Sequence, residues 1–305
     1  DFSIEVPATA AGPDTNYLPL YRPGVQIKGA GQIFETSNEI DFSSDYSEDG
    51  VANRKIIPIF NSNQDILRYR IVKREKAKAG QSKTFSIDIS LEDSQTSFFE
   101  VLLPETNVLE IISVIAKPGT GFVGDPTYDE FNNFTYKYWE VDDLPQDKVF
   151  IEDTSAISVQ GVKIGNYISV DQRFVKDFMA DGTCKVTFGG GSIISDGYER
   201  YLESIPINEQ GQIEVKDMLD NNALGVKLPS DSTLYIKYRV GGGTLSNIGS
   251  NVLTQVGNIN AVILGSDAQI NQQVIASTTA TNVIAGLGGA DLPTAEELRY
   301  AIAGN

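Results

Sequence analysis

Phe85-Ser86-Ile87-Asp88-Ile89-Ser90-Leu91 decides the fold class. Apolar and polar side chains alternate through it with a period of two, the pattern of a strand with one buried and one wet face. Val108 to Ala116 is a largely apolar, β-branched run, interrupted by Glu110 and Ser113, that Pro118 and Gly119 stop. Tyr136 to Val141, Lys148 to Glu152 and Leu234 to Val240 have the same strand character. Phe174 to Met179 and Cys184 to Phe188 flank Asp181-Gly182, a pair suited to a hairpin turn with positive φ. Helix signals are few: a short one around Val215 to Asn221 and a stronger one near the end. The chain is expected to be mainly β with minor α.

Composition narrows the function classes. A length of 305 residues sets a prior of about two domains. With 24 basic and 41 acidic residues the formal charge is 24 − 41 = −17, a field that repels nucleic-acid backbones. There is no histidine, which removes the commonest general base and metal ligand and every Ser-His-Asp or Cys-His site. Cys184 is the only cysteine, so neither an internal disulfide nor a thiolate cluster is available. It alternates with Val186 and Phe188 and reads as a buried strand thiol. No apolar run approaches the 18 or so residues of a membrane span. The chain opens at Asp1 without a Met or a signal-like segment, as a piece of a longer protein would.

Charge comes in blocks. Between Lys28 and Arg54 stand Glu35, Glu39, Asp41, Asp45, Glu48 and Asp49 with no base among them. From Arg54 to Lys83 nine bases face only Asp65 and Glu75, and from Asp125 to Asp153 nine acids face Lys137 and Lys148. Such runs are solvated faces, or they meet complementary charge on partner subunits. For the basic block, contact with an acidic neighbour is the expectation.

The last quarter changes character. From Gly241 to Ala290 the only charge is Asp267, among Asn, Gln, Ser, Thr, Gly, Val and Ile. A solvated surface carries far more charge, and disorder carries far less Val, Ile and Leu. Its amides and backbone are therefore expected to face protein, in a core or an intersubunit contact, with packing against other chains favoured. Thr294-Ala295-Glu296-Glu297 then forms a capping box in which the Thr hydroxyl takes the Glu297 N–H and the Glu297 carboxylate reaches back. Leu298, Ala301 and Ile302 continue at helical spacing, predicting a helix over 295–303 that must dock on something.

Several motifs with chemical overtones have plainer readings. Gly119-Thr120-Gly121-Phe122-Val123-Gly124 matches G-x-G-x-x-G, but breakers rather than a helix follow it, so it reads as an interstrand loop. The triplets Gly189 to Gly191 and Gly241 to Gly243 lead into no Lys-Ser or Lys-Thr and read as strand exits. Glu140, Asp142 and Asp143 beside Trp139 resemble the acids of a sugar cleft, yet among 41 acids such clusters arise by chance. Asp41 to Asp49 lacks the spacing and central glycine of an EF-hand. No catalytic, cofactor or metal residue is assigned.

One resemblance links these residues. Tyr235-Ile236-Lys237-Tyr238-Arg239-Val240-Gly241-Gly242-Gly243, followed by Ser246-Asn247-Ile248-Gly249 and Asn251-Val252-Leu253, resembles the baseplate J-like proteins of contractile tails. Gly288-Gly289-Ala290-Asp291, Thr294 and Glu296-Glu297-Leu298-Arg299 are similar to that family's lead into a helix. Val149 to Asp153, Gln172 to Phe178 and Val186 to Gly191 resemble its T-even-type phage wedge branch. The likeness covers most of residues 100–305. It implies a structural subunit that dimerises or forms higher homo-oligomers and joins other wedge proteins in an inner ring of the virion, assembled in the host cytoplasm. It marks Gly241, Gly242, Gly243, Asn247, Gly249, Gly288, Gly289, Asp291, Thr294, Glu297, Leu298 and Arg299 as structural and interaction positions. Family members extend further at both ends, which implies a middle fragment.

The sequence is thus expected to form a β-rich, wing-like region over 1–240, with a break near 80–84, and a charge-poor segment over 241–305 ending in the capped helix. The expected function is a contractile-tail wedge subunit with no small-molecule substrate, cofactor, nucleic acid or membrane partner. A carbohydrate-binding or adhesive β-module built on Tyr128 to Trp139 is the alternative, and a glycoside hydrolase using Glu140 is a third class. Replacing Thr294 with Ala is expected to lower stability by about 1 kcal/mol in urea unfolding; an unchanged midpoint would remove the cap.

Overall fold

A computed structural model of the chain describes residues 1–47, 50–118, 136–152, 165–179, 182–190 and 224–290. The fold is mainly β with minor α. Two compact units divide it: one joins Asp1–Ser82 to the chain from Gly241 onward, and the other lies between Lys83 and Val240.

The first unit opens with β1 (Phe2–Thr9), β2 (Gly12–Pro13), β3 (Leu20–Tyr21), β4 (Gln26–Gly29) and β5 (Gln32–Thr36). β6 (Ile40–Asp41), β7 (Arg54–Phe60), β8 (Ile66–Lys73) and β9 (Ala77–Ala79) follow. β1 buries Phe2, Ile4 and Val6 and leaves Ser3 and Glu5 half-buried on the other face, as period-two alternation requires. Its sheet runs β2-β1-β8-β7. Pro58 is tolerated in β7 because an edge strand can do without one N–H.

The chain then builds β10 (Gln81–Ile89), helix α1 (Leu91–Gln95), β11 (Glu100–Thr106) and β12 (Val108–Pro118). β13 (Tyr136–Glu140), β14 (Lys148–Glu152) and β15 (Gly165–Ser169) come next. β16 (Arg173–Phe178), β17 (Thr183–Phe188) and β18 (Ser232–Val240) complete the second unit. Among the described residues one sheet runs β10-β18-β12-β13-β16-β17-β11, while β14 and β15 pair with each other. Every strand read from the middle of the sequence is present within a few residues of its expected bounds. β12 and β18 pair from Val108↔Val240 to Pro118↔Ser232 with two register shifts. Val114, Phe174, Val186, Phe188, Leu234 and Ile236 fill the core beneath, where Tyr138 meets Phe188 edge to face at 5.2 Å.

Arg173 is the largest fully buried side chain of this unit. Its Nε donates to Leu144 O at 2.5 Å and its Nη1 to Val170 O at 2.7 Å. A buried guanidinium is tolerated only when its donors are matched, and here it fastens two turns.

The return segment is stitched into the first unit. β19 (Gln255–Val256) pairs with β4, β20 (Ala261–Val262) with β3, and β21 (Thr279–Ala280) with β1. Ile248, Leu253, Val274 and Ala280 are buried in one cluster with Phe2, Ile4, Tyr21 and Phe42. The expected partition into 1–240 and 241–305 is corrected accordingly: residues 241–290 complete a core that 1–82 begins, and the chain passes out at Ser82 and back at Gly241. Between β20 and β21 lies helix α2 (Ala268–Ala276), which the sequence reading did not foresee. Asp267, the lone charge of the segment, caps it by accepting the Gln269 and Ile270 N–H groups at 2.9 and 3.2 Å. The helices expected at Val215 to Asn221 and 295–303 lie outside the described residues.

Most cations of the basic block find partners within this chain, one of them in the acidic run before it. Arg54 pairs with Asp45 at 2.5 Å and donates to the Phe42 and Ser43 carbonyls. Lys73, 1% exposed, donates to Ser44 O and Tyr46 O, and burial lowers its pKa. Arg70 binds Glu5 at 2.8 Å, Arg74 binds Asp1 at 2.6 Å and Lys83 binds Glu105 at 2.8 Å. The basic block is therefore largely matched inside the molecule instead of reserved for a neighbour. Arg173 is as fully buried as Lys73, at 1% exposure. Arg173→Met should cost about 3 kcal/mol in urea unfolding by orphaning buried carbonyls, and a loss below about 1 kcal/mol would show that the turns stand without it.

Candidate functional site

Leaving β18, the chain passes through Gly241, Gly242 and Gly243 with φ of 120°, 81° and 76°. Three successive positive φ values restrict this passage to glycine. A Cβ on Gly241 would also lie 3.0 Å from Gly80 Cα. The next turn is closed by Ser246 Oγ donating to Gly243 O at 2.7 Å. Asn247 then reaches across to the far end of the segment: its Nδ2 donates to Gly289 O at 2.7 Å, and its Oδ1 accepts the Gly289 N–H at 2.9 Å. A Cβ on Gly289 would stand 2.2 Å from Ser246 Oγ and 2.3 Å from Gly243 O, so only glycine fits. The two glycine motifs, distant in sequence, are thus one junction.

Gly249 joins this junction through a residue the sequence reading missed. Asn282 Nδ2 donates to Gly249 O at 2.7 Å and to Ile284 O at 3.0 Å. Its Oδ1 accepts the Val252 and Leu253 N–H groups, both at 2.9 Å. All four polar valences of one amide are used, and they hold an irregular backbone in place of a ladder. One Asn among many uncharged neighbours carried no signal of this role. Gly288 has φ of 91° and open space around it. Asp291, Thr294, Glu297, Leu298 and Arg299 lie outside the described residues, as does the capped helix they belong to.

The segment also exposes apolar side chains. Leu264 is 86% exposed, Leu287 84%, Leu245 75% and Ile284 71%. Leu245 and Leu287 sit on the two passages that Asn247 ties together. Ile284 borders two hollows, one of about 200 Å³ with Phe2, Phe34, Ile248 and Leu253 in its wall, the other of about 630 Å³. The segment expected to pack wholly against other chains is therefore divided: one face completes the first unit's core, the other presents Leu and Ile to solvent.

Of the remaining chemical candidates, Asp142 and Asp143 are exposed with no ion pair among the described residues, and the others are engaged. Glu140 pairs with Lys176 at 2.7 Å. Lys137 Nζ lies 3.9 Å from the Trp139 ring centroid and covers the face a sugar would use. Cys184 is buried, and desolvation pushes its thiol up to about 11, far from a reactive thiolate. Gly189 and Gly190 lie against Gly225 and the Phe98 ring, which leaves no room for a phosphate; Gly191 and the motif at 119–124 lie outside the described residues. No group of three acids or thiols among the described residues is placed to hold a metal ion.

No family model matches the chain, and no curated protein matches it. Asn282→Ala should cost about 3 kcal/mol in chemical unfolding by freeing four backbone groups, and Gly289→Ala about 1 to 3 kcal/mol through steric conflict. Wild-type stability in both variants would refute the junction.

Proposed function

We propose that the chain is a structural subunit of a contractile-tail baseplate, a wedge or inner-ring component that binds copies of itself and other tail proteins. The carrying observation is that residues 241–290 leave Leu264, Leu287, Leu245 and Ile284 exposed while their one charge is used as a helix cap. An apolar, charge-depleted surface of this kind marks a protein–protein contact. The resemblance to baseplate J-like proteins gives the reading its content, since Gly241 to Gly243, Asn247 and Gly289 from its motifs form the junction within that segment. The polar side chains of the junction are spent on backbone atoms, which supports a role in assembly.

Leu264→Asp combined with Leu287→Asp tests the reading, because both side chains are solvent-facing and the isolated fold should tolerate the change within about 0.5 kcal/mol. Co-purification of the chain with contractile-tail components from a phage lysate should then fall at least about tenfold. Hydrogen exchange in the bound state should slow around 245, 264 and 287 in the unaltered chain. Equal recovery of both proteins, with unchanged exchange, would reject the reading.

A further inference from the structure

The hollow of about 200 Å³ lies within the first unit, at the margin of its core. Phe2, Ile27, Phe34, Ile248, Leu253 and Ala280 form its wall, each at most 8% exposed. Val283 and Ile284 border it but are 47% and 71% exposed, so neither fills it. Leu245, Leu264 and Leu287, three of the four side chains that carry the assembly reading, do not line it.

The backbone beside the hollow is held in place and does not collapse into it. The Thr281 N–H donates to Asp1 O and the Gly286 N–H to Ile248 O, both at 2.9 Å, which fixes residues 281–286 at each end. Between them Asn282 Nδ2 holds Ile284 O at 3.0 Å, while its Oδ1 holds the Val252 and Leu253 N–H groups. A Cβ on Gly286 would stand 3.0 Å from Ser246 O and 3.1 Å from Ile248 Cγ1, so no side chain enters from there. Among the described residues the charged side chains lining the hollow are Asp1, Arg74 and Glu75. Arg74 is spent on Asp1, with Nε 2.6 Å from Oδ1 and Nη2 3.0 Å from Oδ2. An anion would therefore find the cation already paired, and a cation would leave water for six apolar side chains.

We propose that this hollow binds a small uncharged molecule built around one apolar six-membered ring. Its size sets the class: an apolar cavity of about 150 Å³ stays dry and takes benzene, whereas drug-sized ligands occupy about 300 Å³ or more. A rigid ring has no internal rotor to freeze, and the wall is already ordered, so little of the gain from apolar contact is offset. The inference does not rest on the proposed assembly role.

Methyl NMR on the full chain, with benzene as the probe, tests this. Benzene should shift the methyl signals of Ile27, Ile248, Leu253 and Ala280 saturably and show direct proton–proton contacts to them. It should also raise the midpoint of thermal unfolding, because a ligand bound only by the folded state stabilises that state. Ala77→Leu enlarges a partly buried position on the wall and should weaken benzene binding at least about tenfold, with circular dichroism checking the fold. Benzoate, the same ring with a charge, should bind at least about tenfold more weakly than benzene. Shifts that do not saturate, no contacts to Ile27 and Leu253, undiminished affinity in Ala77→Leu, or equal affinity for benzoate would each overturn the site. If Ala77→Leu does not fold, the contacts in the unaltered chain decide. Co-purification with tail components is read separately, so either result can fail while the other stands.

Discussion

Residues 241–290 must satisfy their backbone polar groups without much regular structure and almost without charge. Buried N–H and C=O groups need partners, and short strands and one helix supply only part of them here. Side-chain amides supply much of the rest. Asn282 binds four backbone groups and Asn247 two. At Asn282 a carboxylate or ammonium would be partly desolvated beside Phe34, Ile248 and Leu253, whereas a neutral amide offers both a donor and an acceptor. The unusual composition of the segment follows from that requirement. Asp267 escapes it because a helix N-terminus supplies two N–H donors for its carboxylate.

Charge in the rest of the first unit follows a different rule. The acidic run before Arg54 and the basic run after it are blocks in sequence but neighbours in space. The loop between β6 and β7 folds back over the end of β8, so that Arg54 meets Asp45 and the Lys73 ammonium meets two of the loop's carbonyls. Read as a string, the blocks look like surfaces waiting for partners. Folded, they are largely the means by which a loop of little regular structure is tied to a sheet. Exposed pairs such as Arg70–Glu5 add little stability individually, and their main consequence is that opposite charge is already matched where it is densest.

The legible parts of the fold were those in which local pattern and final burial coincide. The alternation read from Phe85 to Leu91 became β10 as far as Ile89, with Ser90 and Leu91 opening helix α1, and the apolar runs at Val108 and Leu234 became the paired β12 and β18. The first eighty residues were harder to read because their strands are as short as two residues and exist only through pairing with distant partners, as β3 does with β6 and β20. Helix α2 was hidden for a different reason. Its only buried side chain is Val274, so no apolar stripe of helical period marks it, and Ile270, Val274 and Ile275 have strand preference. At the junction the glycines were conspicuous, because three in a row have few uses, whereas Asn282 was not. A side chain that binds backbone atoms remote in sequence leaves no periodic trace.

The pinning of this backbone bears on what its exposed face can do. A flexible segment with Leu245, Leu264 and Leu287 would bury them on collapse or lose entropy on binding, which offsets much of the gain from apolar contact. Here Asn247 and Asn282 fix the passages that carry Leu245, Leu287 and Ile284, and the buried side chains of the same segment are anchored in a core shared with β1. Those outward side chains cannot turn inward without breaking the hydrogen bonds made by Asn247 and Asn282. The uncharged amides that hold the chain in place therefore also keep its leucines at the surface, so the exposed face is a consequence of how the backbone is satisfied.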